Sequence, residues 1–136
     1  MKRRFSSHMT LIELTLELFF LMLAMVTIVG LYTTAYELSS EANRLTRATQ
    51  MAQDCAALIE GGADPISELA NNGYHAADNT AIYTLESDKL TVSVTLEVEP
   101  TGVGCLYVGS IRVTHGSEQL IEWPVARYIN KEVIHP

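Results

Sequence analysis

Nineteen consecutive residues, 18 to 36, carry no charged side chain: LFFLMLAMVTIVGLYTTAY. As a helix rising 1.5 Å per residue the run covers ~28 Å, close to the ~30 Å hydrocarbon core of a bilayer. A chain of 136 residues has room for one domain, too small to surround such a helix with its own core. The run therefore reads as membrane-inserting. Lys2, Arg3 and Arg4 precede it, and the first charges beyond it are Glu37 and Glu41. The positive-inside rule then leaves the N-terminus in the cytoplasm and exports the chain beyond Tyr36.

Two acids interrupt the approach to this run, Glu13 and Glu17 in "SSHMTLIELTLELFF". A carboxylate at the centre of a bilayer costs ~2.5–3.5 kcal/mol or more, so each needs a partner, a proton or a place at the membrane surface. Four residues separate them, which puts both on one helical face. The uncharged run is long enough to span without them, so they belong to its cytoplasmic edge.

No proline interrupts the stretch from Thr10 to Glu60, and Gly61-Gly62 supplies a stop. A helix over that span would be ~75 Å long and needs two environments. Its second half is amphipathic. Leu38, Leu45, Ala52 and Ile59 recur every seven residues, with Ala42, Thr49 and Ala56 interleaved. Such a leucine and alanine stripe fits packing on a sheet or on another helix, with a core-facing stripe the expected use.

Asp64 as cap, Pro65 in the first turn and Gly73 at the exit predict a short helix over 65–71, followed by a loop to Asn79. From Ala81 the period changes to two. Residues 90–99 alternate, with Leu90, Val92, Val94, Leu96 and Val98 on one face. "AIYTL" before them is joined through a four-residue "ESDK" connection. "TGVG" leads to "CLYVGSIRVTH", with a bulge expected at Gly109, and "GSEQ" leads to "LIEWPVARY". Pro124 cannot donate to a ladder, so the last strand is expected at an edge. The fold class expected is α+β: a long N-terminal helix, membrane-spanning in its first half and amphipathic in its second, packed on an antiparallel sheet of about four strands between 81 and 128.

The part after Tyr36 holds fourteen acids and six bases, the totals less Glu13, Glu17, Lys2, Arg3 and Arg4. That balance disfavours binding to nucleic-acid phosphates. Cys55 and Cys105 both lie in the exported part, where a disulfide can persist. A bridge between them would be worth ~4 kcal/mol in the chain-entropy model, and the alternative is two small buried hydrophobes. His75, His115 and His135 have no metal-ligand spacing, and Asp78, Glu86 and Asp88 lack a calcium-loop spacing, so no metal or cofactor is expected. No nucleophile or phosphate-binding motif is present, and an enzyme is not expected.

The residues Thr10, Leu11, Ile12, Glu13 and Leu14, set after a short basic leader and followed by the apolar run, resemble the N-terminus of type IV pilins and of the pseudopilins of type II secretion or competence systems. The resemblance covers about 25 residues, and the remainder agrees in architecture. It implies a filament subunit with residues 1–8 as a cytoplasmic leader, 9–36 as the transmembrane and filament-core helix, and 37–136 as the extracytoplasmic domain. A prepilin peptidase would cut between His8 and Met9 and methylate the new terminus. An inner-membrane assembly platform would then move the subunit from the lipid into a surface or periplasmic filament. Glu13 would pair with the Met9 amine of a neighbouring subunit, while Glu17 is an intramembrane acid without an assigned partner. His8 stands where the family carries glycine. Two other readings remain: release of a soluble binding domain by signal peptidase after Ala35, and an uncut, single-pass anchored module.

Overall fold

A computed structural model describes the backbone of residues 2–76 and 82–130, with the side chains of 8–76 and 82–130. The side chains of Lys2, Arg3 and Arg4, residues Asp78 and His135, and the expected strand start at Ala81 lie outside the described residues. Two compact units are present, Met1–Asn43 and Arg44–Pro136.

Helix α1 runs over Lys2–Gly61 without interruption, so it begins eight residues before Thr10. Helix α2 occupies Pro65–Asn71. Asp64 caps it by accepting from the Ile66 amide at 3.4 Å and the Ser67 hydroxyl at 2.8 Å. Five strands follow among the described residues: β1 (His75–Ala76), β2 (Ile82–Ser87), β3 (Leu90–Pro100), β4 (Gly104–His115) and β5 (Glu118–Asn130). They form one antiparallel sheet in the order β1-β2-β3-β4-β5. The layout is α+β as expected, but with five strands rather than four. The extra strand is β1, two residues that pair Ala76 with Tyr83 and His75 with Thr84 inside the expected loop. β5, with Pro124, stands at an edge.

The core of the second unit lies between α1 and one face of the sheet. Ala48, Ala52, Cys55 and Ile59 from the helix meet Leu90, Val92, Val94, Leu96, Ile111 and Val113, with Leu69 and Tyr74 closing the cluster. Alanines at 48 and 52 let the helix approach the strands closely, and each large aliphatic buried here contributes ~1.5–3 kcal/mol. This face differs from the heptad stripe. Ala52 and Ile59 are in the core, but Leu45 is 41% exposed and Leu38 68% exposed. The buried set steps by four, three and four residues from Ala48, which places it beside the expected stripe and leaves the leucines uncovered.

Val98 also departs from the expected buried face, at 44% exposed. Its row explains why. Val98 pairs with Tyr107 and Tyr107 with Arg127, and Arg127 bonds the Ile59 carbonyl in the last turns of α1. The helix ends two residues later, at Gly61, so Val98 lies near the end of the face that α1 covers.

The β2–β3 connection is tighter than the expected four residues. Ser87 pairs with Leu90, so the turn is Asp88-Lys89 alone. Both take positive φ, 50° and 67°, the conformation that a two-residue type I′ turn demands. "GSEQ" likewise reduces to Gly116-Ser117, with Gly116 at φ 60°. The expected bulge at Gly109 is absent: Gly109 sits in regular register between Leu96 and Val125. The irregularity falls instead between Val113 and Thr114. Glycine is needed at 109 for a different reason, because a Cβ there would lie 1.7 Å from the Thr95 carbonyl oxygen.

Candidate functional site

The part of the first unit that its own chain leaves uncovered is the apolar segment of α1. Its large hydrophobic side chains between Met9 and Tyr36 leave 48–76% of their surface free. Among the described residues one helix, His8–Gly61 near the N-terminus, is long and apolar enough to cross a membrane. Uncovered aliphatic and aromatic surface over so many turns is far more than a water-soluble protein ordinarily leaves open.

The polar groups of this segment are handled in a way that suits a dry environment. Thr15 donates to the Leu11 carbonyl at 2.5 Å, Thr33 to Val29 at 2.9 Å and Thr34 to Gly30 at 3.0 Å. Thr27 reaches the Ala24 carbonyl at 2.7 Å and the Leu23 carbonyl at 3.2 Å. Each hydroxyl is thus satisfied within its own helix and needs no water. Glu13 and Glu17 have no such recourse. Both side chains are exposed, one turn apart on the same face. The His8–Met9 bond, at which processing is expected, lies inside α1 rather than at its start.

Cys55 and Cys105 are free thiols, so the bridge that the sequence allows is not formed. Cys55 is buried in the core and accepts a hydrogen bond from the Tyr74 hydroxyl. Tyr74 leads directly into β1 at the sheet edge. Cys105 instead sits on β4, between Pro100 and Ile129, with β2 and β3 separating its strand from β1. Burial pushes the Cys55 thiol upward, more than the Tyr74 hydrogen bond lowers it. Tyr74 is pushed up as well, by burial first and then by its bond to Cys55.

The second unit has an open cleft lined by Arg47, Gln50, Asp54, Ser87 and Asp88. Arg47 pairs with Asp88 across it, and both side chains are well exposed. Among the described residues no three His, Cys, Asp or Glu side chains gather in a way that could hold a metal ion. Several contacts have no periodic signal in the sequence: Arg47 with Asp88, Arg44 with Glu118 at 3.5 Å, and Arg127 with the Ile59 carbonyl. Each joins residues at least 41 positions apart, beyond the reach of helix or strand periodicity.

Comparison with family models, with curated proteins and with solved structures gives no significant match.

Proposed function

We propose that this chain is a structural subunit of a type IV pilus-like or type II secretion or competence filament, held in the membrane by the first half of α1 before assembly. The observation that carries the reading is Glu13, a carboxylate at the head of an apolar helical segment that its own chain does not cover. Once the helix leaves the membrane edge for a packed bundle, such a group needs a countercharge from outside the subunit. After cleavage between His8 and Met9, the terminal ammonium of a neighbouring copy supplies one. An unpaired charge buried in a helical bundle is strongly penalised, so pairing would select one axial step between subunits. The partners on this reading are other subunits, the processing peptidase, the inner-membrane assembly platform and lipid. The threonine back-bonds support the same picture, since they keep the hydroxyls of Thr15, Thr27, Thr33 and Thr34 bonded whether lipid or a packed bundle surrounds the helix.

On this account the N-terminus stays cytoplasmic and the sheet-bearing part is extracytoplasmic. Intact-mass measurement of the mature protein tests the processing step. A chain beginning at methylated Met9 supports the filament reading. A chain beginning at Tyr36 identifies a secreted binding domain instead, and an uncut chain identifies a plain anchored module. The helix runs unbroken through Ala35 and Tyr36, which favours neither release nor a hinge at that point.

A further inference from the structure

Apolar surface left uncovered in the second unit gathers at one end. Among its described residues the exposed large hydrophobic side chains are Leu45, Val98, Val103, Val108 and Tyr128. All but Leu45 lie around the β3–β4 connection, at the end of the sheet opposite the turns that Arg44 and Arg47 hold. Ile111 of β4 and Trp123 and Val125 of β5 belong to the core. By alternation Leu106, Val108, Ala126 and Tyr128 stand on the other face of the sheet. There Tyr128 shares a row with Leu106 and Glu99, and Ala126 shares one with Val108 and Glu97. A Cβ at Gly104 would lie 2.8 Å from the Tyr128 hydroxyl oxygen, so the phenol end of the ring rests against bare backbone. Half of Tyr128 stays open to solvent. Charge on this face is one-sided. Glu97 and Glu99 are exposed and make no ion pair among the described residues. The one base that the described strands place on this face, Arg112, is bonded to Glu122 at 2.9 Å.

We propose that this face docks a basic and apolar segment of a different protein, with a lysine or arginine seated over Tyr128 beside Glu99 and apolar neighbours covering Val108 and Ala126. Charge complementarity selects that occupant. An exposed tyrosine ring attracts a cation, and carboxylates alongside steer and orient it. Strands lie ~4.8 Å apart, so Glu99 and Tyr128 stand ~10 Å apart across β4. The Glu99 side chain and one guanidinium can close that gap together. An anionic lipid surface or a nucleic acid would instead set phosphates against Glu97 and Glu99. A second copy of this chain is poorly matched, because its Arg44, Arg47 and Arg112 are each held by an acid of their own subunit.

The test uses the full-length protein in neutral detergent and a labelled synthetic peptide that alternates arginine with valine, read by fluorescence anisotropy against protein-free micelles. The expected result is saturable binding, lost when glutamate replaces the peptide's arginines and weakened several-fold when serine replaces its valines. Glu97→Gln combined with Glu99→Gln should weaken binding about tenfold, as two exposed charge contacts can. Tyr128→Ser should weaken it several-fold. Glu37→Gln combined with Glu86→Gln removes the same charge elsewhere and should leave it unchanged. All five positions are exposed, so none of these variants disturbs the core. No saturable binding, equal weakening by the two glutamine pairs, or binding that ignores Tyr128→Ser overturns the proposal. So does a dimer in sedimentation that Tyr128→Ser dissolves, which makes a second copy the occupant. Capture on phosphatidylglycerol vesicles that depends on Tyr128 overturns it too, in favour of lipid. None of these readouts needs a filament, so the filament reading stands or falls apart from them.

Discussion

The Arg127 guanidinium donates to the main-chain carbonyl of Ile59 and so fastens the last strand to the closing turns of the long helix. Carbonyls at a helix C-terminus lack intrahelical partners and carry partial negative charge, so a cation there satisfies both needs. Arg127→Ala should cost about 1.5–3 kcal/mol, the range for a hydrogen bond to a charged group. Urea unfolding in mild detergent, followed by the fluorescence of the single tryptophan, Trp123, reads this directly. An unchanged midpoint would show that the contact is idle.

The turn at Asp88-Lys89 holds a lysine at φ 67°. Aspartate tolerates this region through local hydrogen bonding, but a long side chain gains nothing there. Lys89→Gly should therefore stabilise the protein by about 0.5–1 kcal/mol, despite the greater freedom glycine gives the unfolded chain. A drop in the unfolding midpoint would contradict the turn assignment.

Gly109 and Gly30 make an opposed pair. A Cβ at 109 would strike the Thr95 carbonyl, whereas one at 30 meets nothing within 4 Å. Gly109→Ala should destabilise by about 1–3 kcal/mol through forced backbone shifts. Gly30→Ala should add up to ~1 kcal/mol of helix preference. Parallel unfolding curves of the two variants check both signs.

Cys55 and Tyr74 set an alkaline limit. Both are raised in the folded state, by burial first, so folding favours their protonated forms. Their contribution is complete below the ordinary thiol value of 9.0 and is lost as pH rises through the folded values. Stability should fall above that pH, and Cys55→Ala should flatten part of the fall. In the native protein Cys105, less buried than Cys55, should be the first thiol to react with an alkylating reagent.

Legibility in the sequence differs from element to element. The span of α1 follows from the lack of any proline before Pro65 and the glycine pair at its end. The inward face of β3 from Leu90 to Leu96 follows from its period of two. β1 is not legible, because two residues cannot show a period. The core face of α1 is hidden because two apolar stripes run side by side, and sequence periodicity cannot say which one the sheet selects. Ala48 and Cys55, small and inconspicuous in sequence, are buried beside Ala52 and Ile59 of the expected stripe. Glu13 is legible as a cost, a charge beside an apolar run. Its proposed use comes from the family resemblance together with the uncovered surface around it.

The most direct test of charge pairing is incorporation of Glu13→Ala into filaments, with the variant expressed beside the wild type in the native host. Glu13 is exposed and outside the core, so the variant should accumulate in the membrane at the wild-type level. Pairing through Glu13 predicts that the variant is missing from the sheared filament fraction. Recovery of Glu13→Ala in that fraction in proportion to its membrane level would contradict charge pairing as the basis of assembly.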